Sequence, residues 1–394
     1  VQAFWDSVDH LMDNSYRQAA SASGQPTMST DARAALYGAK VSHAWALGGG
    51  VLKAGIDGYA RQWNNVTSMK MGMGTSTASS IPDVTLRDLG LYGEYAIKPL
   101  APLTLKAGLR YDYANTVAAA VNEALLAQFR PYYPAAKASA EASGVGGNLQ
   151  ATYAVSDQLE LFAGLARAVR LPDPQELYQS TFSTMGTSWV GNPTLRPTKF
   201  HQADLGARYR MDWLSLNASV FGAYAQDYIY LTSLDPTGMP TAARTYANQD
   251  AQLMGGELGA EAALPMNLFL NAGLGYVQGQ NLTSGNPLAE TPPLKGTVAL
   301  RYDVDTFFAE VAENAAATQN RIDPTLQEIV TPGWMTTDLK VGVKWNQATL
   351  LAGINNLFDA YYTTDLAYRR DPFSSGVQVP EPGRNLYVGV SYRF

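Results

Sequence analysis

Apolar and polar residues alternate with a period of two over most of this chain. Leu103, Leu105, Ala107, Leu109, Tyr111 and Tyr113 take alternate positions, with Thr104, Lys106, Gly108, Arg110 and Asp112 between them. Leu205, Ala207, Tyr209 and Met211 stand against Asp204, Gly206, Arg208 and Arg210 in the same way. Val298, Leu300, Tyr302 and Val304 oppose Arg301 and Asp303, and Leu339, Val341, Val343 and Trp345 oppose Asp338, Lys340, Gly342 and Lys344. Successive side chains of a strand point to opposite faces, so each segment predicts a β-strand with one apolar and one polar face. The last stretch repeats the pattern, with Leu386, Val388, Val390, Tyr392 and Phe394 on one face and Tyr387, Gly389, Ser391 and Arg393 on the other.

The connections alternate in length. Short turns are predicted at 47–50, 98–102, 155–158, 211–213, 264–266, 304–306 and 345–347. Long connections are predicted at 11–30, 64–82, 117–142, 171–197, 231–246, 281–291, 321–333 and 360–383, with a short helix at Val117–Phe129. This rhythm predicts an antiparallel up-and-down meander of about sixteen strands, with tight turns at one end and long loops at the other. Charged residues recur on the face opposite the apolar one. A dry sandwich core would not hold them unpaired, whereas a water-lined lumen does. The fold expected is therefore an all-β transmembrane barrel.

Composition supports a lipid solvent for the apolar face. Only 16% of residues are charged, against the usual quarter, while Gly (35), Tyr (23) and Trp (7) are plentiful. No run of 18 apolar residues occurs, which excludes a transmembrane helix but not a barrel. Trp45, Trp213, Trp345 and Tyr392 fall near strand ends, where an interfacial aromatic girdle sits. A net charge of -6 disfavours nucleic acid as a partner. The absence of cysteine removes disulfides and thiolate chemistry from this chain. The start at Val1 reads as the middle of a strand, so the chain is expected to be a truncated piece of a longer protein.

Candidate chemistry is sparse. His10 and Met12, two residues apart in an extended segment, project to the same side, and an imidazole with a thioether suits a soft or borderline metal such as copper. Met69, Met71 and Met73 alternate with Lys70 and Gly72 in an expected loop, where thioethers serve either as metal donors or as adaptable filler. His43, beside Val41 and Trp45, and His201, beside Gln202 and Asp204, read as interfacial or structural. No nucleophile and base share a local motif, no glycine loop cradles a phosphate, and no histidine pair has zinc spacing, so no enzyme is expected.

Two stretches resemble TonB-dependent outer-membrane receptors. One runs from Arg167 to Tyr178 and continues in Gly191–Pro197 and Ala203–Gly206; the other spans Gly353–Tyr362 and Gly383–Phe394. The resemblance implies a barrel of about twenty-two strands in a Gram-negative outer membrane, filled by an N-terminal plug and driven by TonB. Residues 1–394 would be the C-terminal barrel portion, without plug or TonB-binding box. Val8–Asn14, with Met28 to Asp31, resembles the copper-receptor branch of that family. That resemblance implies copper as cargo, His10 and Met12 as the barrel half of a site completed by Cys-x-x-x-Met on the plug, and Met28, Met69, Met71 and Met73 as auxiliary capture residues. It also implies contact with membrane lipid and recognition of the terminal Tyr392 and Phe394 by the barrel assembly machinery. Uptake of a siderophore, haem or another chelate is the alternative, with Trp189, Tyr361, Arg369 and Arg370 lining the site; a passive porin or a barrel-embedded hydrolase is a third.

Overall fold

Adjacent strands of this chain pair in the order in which they are synthesised. The computed structural model describes residues 1–14, 27–71, 74–181, 188–234, 243–367 and 379–393. Along them run β1 (Gln2–Asp13), β2 (Thr27–Leu47), β3 (Gly50–Met71), β4 (Gly74–Ala78), β5 (Val84–Leu100), β6 (Leu103–Ala118), β7 (Ser139–Ala154), β8 (Leu159–Arg170), β9 (Ser180–Thr181) and β10 (Ser188–Val190). The second half holds β11 (Thr198–Arg210), β12 (Leu214–Leu234), β13 (Ala243–Leu264), β14 (Leu268–Asn281), β15 (Lys295–Val304), β16 (Phe307–Ala316), β17 (Trp334–Trp345), β18 (Ala348–Asn355) and β19 (Asn385–Tyr392). Sixteen of the nineteen form the continuous antiparallel meander; β4, β9 and β10 are short additions within loops. One pairing is parallel, where Ser188 and Trp189 of β10 lie beside Ala243 and Arg244 of β13. Among the described residues β1 pairs only with β2, and β19 only with β18.

The registers place the expected residues on the expected faces. Gln2, Lys40, Asp57, Gly90 and Asp112 stand opposite one another across β1, β2, β3, β5 and β6, so they share a face. On that face Arg110 grips Asp57 with both terminal nitrogens at 2.8 Å, and its Nε donates to Asp112. Farther round, Arg301 donates to Asp303 and Glu310, and Lys344 donates to Asp303 at 2.6 Å. A ladder of paired charges belongs to a polar lumen. The opposite face carries Val41, Leu91, Leu109, Leu205, Val220 and Leu258, all exposed, the apolar outer face that the alternation predicts for a barrel wall. No helix is long and apolar enough to cross a membrane.

Tight turns join the strands at one end. Gly48 and Gly49 both have positive φ (57° and 80°), the conformation a two-residue hairpin turn requires and other residues avoid. At the other end the loops pack on each other. Leu177, Tyr178, Leu195 and Ile229 bury against Ile81 and Val84, and Phe129 and Leu126 bury against Val190 and Ala243. The greater part of the buried apolar side chains thus lies among the loops and strand ends, because the wall is a single sheet with no second layer packed on it.

Three expectations need correction. The segment 64–82 is mostly strand: β3 continues to Met71, paired with β2 on one side and β4 on the other. The connection 231–246 is shorter, because β12 and β13 stay paired through Leu234 and Ala243. The helix does not begin at Val117, which still pairs with Ser139. It begins after Asn122, whose side chain accepts from Leu125 N at 3.0 Å, giving α1 (Glu123–Phe129). A second short helix, α2 (Pro174–Tyr178), has Pro at its first turn and a capping box of Asp173 and Glu176.

A thioether and imidazole face at the loop end of the barrel

His10 and Met12 lie near the end of β1, one turn of the pleat from where it enters its long loop. In β1 the even-numbered residues share the face of Gln2, and the row Gln2–Lys40–Asp57 fixes that face as lumenal. His10 and Met12 therefore point inward, about 6.6 Å apart along the strand. His10 faces Ala32 and Met12 faces Thr30 on β2; Thr30 in turn bonds Thr67 of β3 at 2.8 Å. One rung higher, Asn14 Oδ1 accepts from Met28 N at 2.7 Å, and Asn14 N donates to Met28 O. Met28 stands directly opposite Met69. Paired residues share a face, so Met28 and Met69 join His10 and Met12 on the lumenal side.

The face so built is neutral and soft. Direct cross-strand partners such as Met28 and Met69 have Cβ atoms about 5 Å apart, and diagonal ones such as Met12 and Met28 have Cα atoms about 7–8 Å apart. Thioethers on three rotatable bonds span such gaps easily. Asp9 and Asp31 sit on the other face of the sheet, where they flank Arg33 at 3.4 and 3.5 Å. Among the described residues no group of three His, Cys, Asp or Glu could hold a metal ion. A hard cation, which needs several oxygen ligands, finds no cradle here; imidazole with thioethers suits a soft one.

The remaining expected site residues fall apart from this face or outside it. Met71 ends β3 opposite Gly74, and Met73 lies outside the described residues. His43 is outward and packs edge-on against Trp45, ring centroids 4.6 Å apart, as an interfacial aromatic. His201 also faces outward, opposite Arg167 and Tyr224. Tyr361 is exposed and Trp189 is packed near Tyr246, while Arg369 and Arg370 lie outside the described residues. At the short-turn end Tyr392 donates to Gln347 at 2.8 Å; Phe394 lies outside the described residues.

The structure adds partners that sequence reasoning missed. Asn14 locks β1 onto Met28, and the Met28–Met69 pair joins residues 41 apart in sequence, a match only the strand register reveals. Arg61 donates to Asp173 at 2.9 Å, tying the lumenal wall to the α2 loop.

Residues 3–357 match the family described as "TonB dependent receptor-like, beta-barrel". No curated protein gave a match. Among solved structures, "Copper transporter OprC" superposes on 99% of this chain with a TM-score of 0.85 and 25% identity. The ferric citrate transporter FecA in its unliganded form superposes on 100% of the chain (TM-score 0.72, 14% identity) and covers a like fold. The ferric yersiniabactin uptake receptor FyuA from Yersinia pestis does so over 99% (TM-score 0.68, 13% identity). The chain spans 62% of the OprC structure, 58% of the FecA structure and 56% of the FyuA structure. At their identities FecA and FyuA speak for the fold alone. With the family matched over most of its length, and sixteen meandering strands around a charged lumen, this chain belongs to the TonB-dependent receptor β-barrel family.

Proposed function

We propose that the chain is the barrel portion of an outer-membrane receptor that takes up copper by TonB-dependent transport. The observation that carries this reading is the shared lumenal face of His10, Met12, Met28 and Met69 at the loop end, on a barrel 25% identical to a copper transporter. Copper is the substrate, not a resident cofactor. His10 and Met12 bind it directly, and Met28 and Met69 hand it inward from the loops. The two barrel donors leave coordination positions open, and a plug filling the lumen below them is where the remaining ligands would come from. Movement of that plug, pulled by TonB, would then release the ion inward. The neutral donor set favours the softer, monovalent ion.

Copper binding by the full-length receptor tests the reading. Isothermal titration with Cu(I) under reducing conditions, on the wild type and on His10→Ala/Met12→Ala, should show loss of the high-affinity site in the variant. Unchanged affinity, or equal binding of a ferric chelate by both proteins, would overturn it in favour of a chelate receptor.

A further inference from the structure

The thioethers of the donor face are not equally covered. Met12 and Met28 are 47% and 38% exposed, while Met69 is half-buried. Four other described methionines are as open, and none of them shares that face. Met211 and Met266 lie at short turns. Met254 of β13 and Met335 of β17 alternate in step with Leu258 and Val341, so they point outward. Among the described residues, exposed thioethers therefore reach the lumenal side at Met12 and Met28 alone.

A hydroxyl pair lies among them. Thr30 stands between Met12 and Thr67 in one row, and the row above it is Met28 opposite Met69. Thr30 Oγ1 and Thr67 Oγ1 are 2.8 Å apart, so one of their two hydroxyl hydrogens makes that bond. The other hydrogen has no acceptor among the described residues. A thioether accepts hydrogen bonds weakly, whereas the sulfoxide that oxidation makes of it is polar and accepts through oxygen. A spare donor thus sits one cross-strand spacing from Met12, where a sulfur that gains an oxygen can use it.

We propose that Met12 and Met28 are modification sites: hydrogen peroxide converts them to sulfoxides and so switches off copper capture until they are reduced. The inference rests on the copper reading. A thioether binds copper and attacks peroxide with the same sulfur lone pair, so the exposure that admits the ion admits the oxidant. The sulfur attacks one peroxide oxygen, the O–O bond breaks and a sulfur–oxygen bond forms. The second oxygen leaves as water, carrying the proton of the oxygen transferred. Each sulfur gives up two electrons and each peroxide takes two. At Met12 a hard oxygen and an electron-poor sulfur replace the soft donor, and the spare Thr30–Thr67 hydroxyl holds the new oxygen toward β2. Oxidation at Met12 removes the high-affinity site; oxidation at Met28 slows loading.

The test treats the full-length, metal-free receptor with graded hydrogen peroxide, removes the oxidant, and maps sulfoxides by peptide mass. Cu(I) affinity is then measured against a competing chelator. Met266, 78% exposed at the far end of the barrel, marks the dose. Met12 and Met28 should gain one oxygen each before Met69 does, and Cu(I) affinity should fall by about tenfold or more as Met12 converts. Methionine sulfoxide reductases should restore it. Peroxide should leave the affinity of Met12→Leu/Met28→Leu at its untreated value, and Met266→Leu should respond as the wild type does. Gel mobility of the unheated barrel reports folding of each protein. Met12 and Met28 left intact at a dose that converts Met266 would overturn the switch whatever the cargo. Full conversion with unchanged affinity, while untreated Met12→Leu binds Cu(I) more weakly, would overturn the switch and keep the copper reading. Affinity indifferent to both oxidation and Met12→Leu would overturn the two together.

Discussion

Arg61, on the lumenal face of β3, donates to Asp173 at 2.9 Å across 112 residues of sequence. Asp173 is also the N-cap of α2, accepting from Gln175 N, while Glu176 of the same helix accepts two bonds from Arg170 at the end of β8. One helical turn is thus pinned to the barrel from two sides, and with it the buried Leu177 and Tyr178 that anchor the loop cluster. The family likeness of Arg167–Tyr178 acquires a physical meaning here: the segment is a clasp between wall and loop.

Arg61→Ala should loosen that clasp without unfolding the barrel. Both partners of the ion pair are about one-third exposed, so solvent screening limits its contribution to roughly 0.5–1 kcal/mol. Limited proteolysis between β8 and β11 should speed up by about twofold to fivefold, which is that free energy read as an opening equilibrium. Gel mobility of the unheated barrel should stay the same. An unchanged cleavage rate would mean the apolar cluster alone holds the loop.

The donor face makes a graded prediction. Met12→Leu removes a proposed ligand while keeping the side chain's volume, and should weaken Cu(I) binding to the full receptor by about tenfold or more, ~1.4 kcal/mol. Met28→Leu and Met69→Leu, one rung toward the loops, should each leave the equilibrium affinity within about threefold, below 0.7 kcal/mol, and slow copper loading instead. Stopped-flow capture by a competing chelator separates the two. Equal affinity losses at Met12 and Met69 would make the whole stripe one site rather than a site with an approach.

Much of this was legible in the sequence because its signals are local. The alternation from Leu103 to Tyr113 fixes which residues share the outer face, since a strand's period is two wherever it lies. His10 and Met12 are likewise only two residues apart, so their common side follows from extension alone. What was not legible depends on register. The segment 64–82 reads as a loop until β2 is laid beside β3 and Met28 meets Met69. The Arg61–Asp173 clasp, the loop clusters under Tyr178 and Phe129, and the start of α1 at Asn122 all arise from contacts between distant segments. Loops here form a core of their own, and residues chosen for loop packing carry no periodic signature.

Glu328 gives the loop region a pH dependence. Its carboxylate, in the loop between β16 and β17, accepts from Asp323 N of the same loop and from Glu290 N of the loop between β14 and β15, and it is almost fully buried. Burial holds its pKa above the ordinary glutamate value, with the two backbone donors only partly opposing the shift. A carboxyl whose folded pKa is raised takes up its proton in the folded loop first. Its contribution to loop stability is therefore least favourable above the folded pKa, and improves as pH falls through that value toward the ordinary glutamate range. Hydrogen exchange of residues 320–331 in the full receptor should thus slow, relative to the intrinsic rate, as pH is lowered from 7 toward 5. Glu328→Gln should flatten that slope while raising exchange overall, since an amide nitrogen cannot replace the accepting oxygen. A slope that survives the substitution would assign it to another group.

The lumen near the short turns repeats one packing device, and it can be broken by a single methyl. Phe308 lies opposite Gly342 on the neighbouring strand, and Phe162 lies opposite Gly206. Each ring covers its glycine so closely that an added Cβ would collide with ring atoms. Each ring in turn carries an arginine, Arg301 at 3.8 Å from the Phe308 centroid and Arg208 at 4.6 Å from that of Phe162. Glycine, ring and guanidinium form a stack that levels the ring against the wall and holds the cation over it. Gly342→Ala should lift Phe308 off the strand and displace Arg301 from both the ring and Glu310. Overpacking of this kind costs about 1–3 kcal/mol, read as a lower midpoint of heat-induced loss of the folded gel mobility. Phe308→Leu in the Gly342→Ala background should recover more than half of the loss, because the smaller side chain leaves room for the methyl. If Phe308→Leu instead adds to the loss, the defect is in the backbone of β17 and the stack is incidental.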